Sequence, residues 1–432
     1  MSTLTRRHLV GSIALLAVVS ALAACGNNGA GTADGKVTLT FWSHTHPPMV
    51  ELNKKLVAEY EKQHTNVKVQ YETIPNDQFG TKMLTSLSNG SGPDIINMDD
   101  SALRGEYLPK KLLAPIDPEG FGAKSVDEIR AKYNEGTLDG ASADGQLYGV
   151  PSEFNATAFV INTKHFKDAG LDPAKPPATW DDVTTYGKKL VAAGHEQAFS
   201  FNYLHSGWYT QQLQTLLNQT GGEIADPKTL KEAVTSPEAV KALQIWAKLA
   251  TGPDKVHDPN ASSRDATSPF SDLATGRQSM AVVYPWSMEQ IRQSNPDTYK
   301  ELQVVPLPQV DPAKPVNRWY AYYWAVNVAS KQQPEAWKFI SFMADNHERW
   351  IADVDFIQPV KGWETSAAAK ELPALDVWAG AYANGAFDTV VPHYAEIQDA
   401  VTEMVNDAVF NGVAPEEAAK KAADQIQRSL DS

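Results

Sequence analysis

The sequence predicts an α/β chain folded as two lobes, and three observations carry that prediction. Its 432 residues exceed what one ordinary hydrophobic core encloses, so two lobes or domains are expected. Over residues 37–98 the apolar pattern switches repeatedly between alternation and helical spacing. It reads β-α-β-α-β, which calls for a parallel sheet with helices on its faces. Further on, the polar-aromatic break Ser152-Glu153-Phe154-Asn155 separates a short approach from an apolar run at 156–161 rich in β-branched and aromatic residues. Such a break reads as the chain passing from one lobe to another.

Taken in order, the chain begins with Arg6-Arg7, an apolar run over 9–21, and Leu22-Ala23-Ala24-Cys25. A basic start, a short apolar stretch and small residues before a cut make residues 1–24 an export signal; a spanning helix needs about 20 apolar residues. The Arg pair also suits a twin-arginine route. Cys25 is the only cysteine, so an internal disulfide is impossible. Residues 25–36, rich in Gly, Asn and Ala without periodicity, read as a flexible tether.

A first strand follows over 37–42. Pro47-Pro48 then opens a helix with Met49, Leu52, Leu56, Val57 and Tyr60 on one face. Val67, Val69 and Tyr71 alternate with Lys68, Gln70 and Glu72 in a half-exposed strand, and Phe79, Met83, Leu84 and Leu87 mark a second helix. Gly92-Pro93 punctuates before a strand at 94–98. Asp144-Gly145 is a tight turn, since Gly tolerates positive φ. Thr179 is placed to cap the helix that follows it. Residues 279–284 read as a buried strand that Pro285 ends, with Ser287 capping the next helix.

Charge narrows the function. The chain carries 38 basic and 52 acidic residues, net −14; without Arg6 and Arg7 the exported part holds 36 against 52, or −16. An acidic body argues against nucleic-acid binding and against adhesion to anionic lipid. Enzyme signatures are mostly missing: there is no Gly-x-Ser-x-Gly elbow, no Walker loop and no dinucleotide Gly fingerprint. His347-Glu348 lacks the second His of a zinc helix. Paired acids such as Asp99-Asp100 and Asp181-Asp182 leave carboxylate chemistry formally open, which needs two carboxyls about 5–10 Å apart in space.

Candidate binding residues gather where a parallel sheet presents ligands, beyond its C-terminal strand ends. His44 and His46 follow the first strand, and Asp99 and Asp100 follow the third; the plain alternatives are a loop and a helix cap. A His pair takes a metal only with further ligands, and none is marked. Glu153 and Asn155 lie in the polar break. The aromatics are the richer signal, with 11 Trp, 15 Tyr and 14 Phe. Trp208-Tyr209, Tyr284 with Trp286, and Trp319-Tyr320 with Tyr322-Tyr323-Trp324 sit at strand ends or loops, whereas Trp246, Trp337 and Trp350 lie on helical repeats and read as core. The run over 319–324 alternates between two faces, so only some of it, with Tyr320 and Tyr322 as the candidates, can face the crevice. Flat aromatics cover the apolar C–H face of a sugar, and carboxylates or amides bind its hydroxyl rim.

The chain also resembles a known family. Leu39 with Phe41-Trp42, Glu59-Tyr60-Glu61-Lys62, Val67-Lys68-Val69, Lys82 and Gly92-Pro93-Asp94-Ile95 follow its opening. Leu113-Ala114-Pro115-Ile116-Asp117, Asp144-Gly145, Tyr148-Gly149-Val150-Pro151, Thr179-Trp180-Asp181-Asp182 and Gly276-Arg277-Gln278-Ser279-Met280-Ala281 with Pro285-Trp286 continue in order. Pro334-Glu335-Ala336-Trp337 and Pro415-Glu416-Glu417-Ala418 complete a resemblance to the sugar-binding, maltose-binding-protein-like solute-binding lipoproteins of ABC importers. The Leu-Ala-Ala-Cys ending resembles a lipobox, which implies a diacylglyceryl group on Cys25.

That resemblance implies two α/β lobes of the periplasmic-binding-protein type, each a mainly parallel sheet flanked by helices. Hinge crossings are expected near 152–156, 304–307 and 355–359. Lobe one then takes 37–152 and 307–355, and lobe two 157–304 and 359–432. It implies capture of a carbohydrate outside the cell, delivery to a membrane permease, a monomer, and no cofactor. By the same resemblance Trp286 stacks on sugar. Gln358 lies in the third crossing, where Phe356-Ile357-Gln358-Pro359 lacks the family's Gly, and Tyr320-Ala321 replaces a Gly-Gly. The alternatives are a binding protein for another solute, such as a metal or polyamine, and a secreted carbohydrate-active enzyme.

Overall fold

A computed structural model describes residues 35–195, 197–256 and 268–432. The export signal, Cys25 and most of the tether lie outside the described residues. Among the described residues no helix is long and apolar enough to cross a membrane.

The strands that matter for the site are β1 (Val37–His44), β2 (Val67–Ile74), β3 (Ile95–Asp99), β4 (Leu113–Ala114), β5 (Gly149–Ala156), β6 (Ala158–Asn162), β7 (Gln197–Phe199), β8 (Gln278–Val283), β9 (Leu302–Val305), β10 (Asn317–Asn327) and β11 (Gly385–Phe387). They build two sheets. The first runs β11-β10-β3-β1-β2, with β4 and β5 also paired to β10; the second runs β9-β6-β8-β7. As expected from the pattern over 37–98, β1 pairs in parallel with both β2 and β3. The helices between them, α1 (Pro47–Gln63) and α2 (Asn76–Ser88), cover the sheet, and Met49, Leu52, Leu56, Val57 and Tyr60 are all buried on one face of α1.

The remaining helices used below are α3 (Trp180–Ala192), α4 (Ser206–Thr220), α5 (Pro237–Ala250), α6 (Pro285–Ser294), α7 (Gln333–Asp345), α8 (His347–Val354), α9 (Leu375–Ala383), α10 (Tyr394–Val409) and α11 (Pro415–Leu430). Thr179 caps α3 as expected: its Oγ1 accepts the Asp182 amide at 3.1 Å, and the Asp182 carboxylate accepts the Thr179 amide at 2.9 Å. Asp144 and Gly145 both take positive φ in the turn between two short strands.

The second sheet shows the period-2 alternation of a two-faced sheet. Phe159, Ile161, Met280 and Val282 pack under α3, α4, α5, α10 and α11, while Val160, Ala281 and Val283 join the core that fills the first sheet. Trp246, Trp337 and Trp350 are core, as their helical spacing indicates.

Strand direction differs from the expectation of mainly parallel sheets. β10 runs antiparallel to β3, β4 and β5, and β6 runs antiparallel to β8 and β9. The reason is the path of the chain. Strands of βαβ units, such as β1 and β3, run toward the space between the lobes. β6 and β10 start at a crossing and run away from it.

The chain passes between the two sheets three times. Residues 152–156 belong to β5, paired with β10 through Trp319↔Ala156 and Tyr322↔Glu153, so the first crossing is Thr157. The second is the run 306–316 between β9 and β10. Residues 355–359 stay with the first sheet: the Phe154 amide donates to the Ile357 carbonyl at 3.0 Å and the Asn134 amide to the Pro359 carbonyl at 2.8 Å. The chain then passes through α9, whose Tyr382 hydroxyl donates to the Phe154 carbonyl, and enters β11, in register with β10. Gly385 is required there, because a Cβ would stand 1.8 Å from Trp319 Nε1. Residues 388–393 make the third passage, into α10, which packs in the second core.

Candidate functional site

Strand ends and helix starts from both lobes line a cleft of about 320 Å³. From the first sheet come His44, Thr45 and His46 at the end of β1, Glu153 on β5, and Tyr320 and Tyr322 on β10; Pro47, Phe79 and Phe356 fill in around them. From the other lobe come His205, Trp208 and Gln211 at the start of α4, and Trp286 and Gln290 on α6.

The two histidines are held as neutral rings. His44 packs 4.3 Å from the Tyr322 ring and 6.0 Å from Phe79. Burial, helped by His46 and opposed by a hydrogen bond with Asn97, pushes its pKa down to about 3. His46 packs at a tilt against Phe356, 4.9 Å between ring centres, and burial takes its pKa down to about 4. Both Nδ1 atoms are buried without a hydrogen-bond partner among the described residues. No group of three or more His, Cys, Asp or Glu gathers among those residues, so the pair lacks the further ligands a metal needs.

Glu153 faces Tyr322 across the β5–β10 pairing and is 3% exposed. Burial pushes its pKa up to about 8, against a 2.6 Å hydrogen bond donated by Asn155 Nδ2. Among the described residues it is the one acidic residue lining the cleft, and none of the described Lys or Arg residues lines it.

Trp286 joins the two walls. Its Nε1 donates to the Tyr320 hydroxyl, from one lobe to the other. Its ring lies parallel to Tyr284 at 5.7 Å, 5.2 Å from Phe270 and 6.2 Å from Trp208. It is half-buried against the core, so it is both a cleft platform and a packing residue. Helix α6 starts at Pro285, ahead of the Ser287 expected to cap it. Ser287 sits one turn in, where its Oγ accepts the Tyr284 amide at 2.9 Å.

Of the residues singled out from sequence, the cleft collects His44, His46, Glu153, Trp208, Trp286, Tyr320 and Tyr322. The other six stand behind its walls. Asp99 accepts the Ala102 amide at 3.0 Å as a helix cap, its pKa raised to about 6 by burial. Asp100 pairs with Arg104 at 2.5 Å and accepts the Ala321 amide at 3.0 Å. Asn155 is buried and spends its amide on Glu153. The Tyr209 hydroxyl donates to Asn406 at 2.9 Å inside the second core. Tyr284 is wholly buried beneath Trp286, and Gln358, also buried, donates to the Ser152 carbonyl at 3.2 Å. Sequence reasoning missed Gln211 and Gln290, although each lies one helical turn beyond a Trp it did select. It read Phe79 as core only, and His205 carried no local signal.

The profile described as bacterial extracellular solute-binding protein matches residues 45–348. A putative binding protein of Brucella abortus (strain 2308) is 24% identical over 429 residues, covering 96% of this chain and 97% of its own. A solute-binding protein of an ABC transporter from Thermotoga lettingae TMO, solved with α-D-tagatose, superposes with a TM-score of 0.80 at 23% identity, covering 91% of this chain and 100% of its own. The GacH receptor of Streptomyces glaucescens GLA.O, solved unliganded and with acarbose, gives 0.78 at 17% identity, covering 92% and 99%. The fold is thus the two-lobed one of these binding proteins, and the chain belongs to the bacterial extracellular solute-binding proteins.

Proposed function

We propose that the chain captures a carbohydrate outside the cell, in the cleft between its lobes, and delivers it to the permease of an ABC importer. The observation that carries this reading is the pairing of flat aromatics across one cleft: Trp208 and Trp286 from one lobe face Tyr320 and Tyr322 from the other. Such faces cover sugar C–H surfaces, and Glu153, Gln211 and Gln290 offer the polar groups that hydroxyls need. The tagatose and acarbose complexes of the related folds support the same ligand class.

Closure of the lobes is the working step, as in periplasmic binding proteins generally. A ligand shifts an open–closed balance only through tighter binding to the closed form. Contacts from both walls to one sugar supply that difference. We place the hinge at Thr157, 306–316 and 388–393. Export, cleavage before Cys25 and acylation there would leave a monomer tethered to the outer face of the cytoplasmic membrane. No covalent step on the ligand is part of this reading.

A thermal-shift screen against a library of mono- and oligosaccharides tests it. A sugar at 100 times its Kd adds about 2.7 kcal/mol of stability. Stabilisation by a metal or a non-sugar solute in place of every sugar overturns the ligand class. Release of reducing ends from oligosaccharides would replace binding by catalysis.

A further inference from the structure

Glu153 is a buried carboxyl with no cationic partner among the described residues. Among the described residues its one hydrogen bond comes from Asn155. Three described arginines of the surrounding elements are committed elsewhere. Arg318, behind the ring of Tyr320, is held by Asp388; Arg104 is held by Asp100; Arg292 is held by Asp355. Asp99 adds a second acidic group behind Tyr322. A carboxylate removed from water without a partner is costly, so the carboxyl keeps its proton in the empty cleft, and a cation arriving from the cleft is what would let it ionise.

The rest of the wall suits a cation. Indole and phenol faces attract positive charge through their quadrupoles, best when desolvated. Trp208, Trp286, Tyr320 and Tyr322 supply four such rings to the cleft that Glu153 also lines. His44 and His46, being neutral, add no repulsion near pH 7. The net charge of −14 draws cations toward the protein before contact.

We infer that the bound carbohydrate carries a positively charged amino group, seated on the Glu153 carboxylate between the aromatic faces: an amino sugar rather than a neutral one. This inference rests on the carbohydrate reading above, and its test keeps the two apart.

The probes are matched sets: glucose, glucosamine and N-acetylglucosamine, and the α- and β-linked disaccharides of each, with choline and spermidine as cations that are not sugars. Each is titrated calorimetrically into the exported chain and its Glu153→Gln variant at pH 7. An amine-bearing sugar should bind at least about tenfold tighter than both its hydroxyl and its N-acetyl counterparts, in line with a charge-assisted hydrogen bond. Glu153→Gln should erase that gap.

A neutral or acetylated sugar that binds as tightly as its amine overturns the inference and leaves the carbohydrate reading standing. A gap that survives in Glu153→Gln overturns the assignment to Glu153. Choline or spermidine binding with no sugar bound overturns the carbohydrate reading and keeps the carboxylate–cation contact. Failure of every probe to bind overturns both. The comparison of matched sugars on the unaltered chain stands even if the variant folds poorly.

Discussion

Arg318 and Asp388 form a two-point ion pair, Nε to Oδ1 at 2.7 Å and Nη2 to Oδ2 at 2.6 Å, with each side chain 1% exposed. The pair links the start of β10, just past the second crossing, to the start of the third. Arg318 also touches the first: its amide donates to Thr157 Oγ1 at 3.1 Å, and its carbonyl accepts the Thr157 amide at 3.2 Å. Arg104 Nη1 adds a 3.0 Å bond to the Asp388 carbonyl. One residue therefore meets all three passages between the lobes.

Breaking this pair from one side should be costly. Asp388→Asn leaves a buried guanidinium uncompensated, for an expected loss of about 3–5 kcal/mol. Urea unfolding of the ligand-free protein measures it. A double change, Arg318→Met with Asp388→Leu, should lose less than the single one. A single variant as stable as the parent would remove the pair from the account of the hinge.

Trp286→Ala should affect both stability and binding, because the ring is shared between core and cleft. The stability loss should be about 1–3 kcal/mol, below the roughly 3–5 of a fully buried Trp. Ligand-induced changes in indole fluorescence should shrink in the variant. Normal binding by a destabilised Trp286→Ala protein would make the residue core alone.

Stability of the empty protein should fall between about pH 7 and 8. The folded pKa of Glu153 is raised to about 8, so over the range from its ordinary value of 4.5 up to that point the folded state holds the proton and the unfolded state does not. Rising pH then favours unfolding, by up to about 1.4 kcal/mol per pH unit for a full proton of difference. Glu289, raised to about 7 by burial, acts in the same direction lower in the range. His44 and His46 act oppositely, but only below their ordinary value of 6.5. Melting temperatures from pH 6.5 to 8.5 should drop in the parent and drop less in Glu153→Gln. A flat profile in the parent would count against an ionisable, buried Glu153.

Cys25→Ala should release the exported protein into the medium instead of the membrane fraction, since the proposed diacylglyceryl anchor needs that thiol. Fractionation and immunoblotting decide it, and unchanged membrane retention would sink the lipid assignment.

The sequence by itself determined the elements over 37–98, because apolar periodicity is a local property that five short segments state independently. It also separated Trp246, Trp337 and Trp350, on helical repeats, from Trp208 and Trp286, beside strand ends. The order of short motifs pointed to the family without any geometry. Tertiary structure decided the rest. Asp99 and Asp100 follow a strand end as binding residues do, but their partners are the Ala102 amide and Arg104, and no local pattern distinguishes a cap from a contact. Tyr284 and Trp286 are two residues apart, yet one is buried beneath the other. The passages between the sheets bring Arg318 to Asp388 seventy positions away and β11 beside β10, and such long-range choices are made by packing across the whole fold.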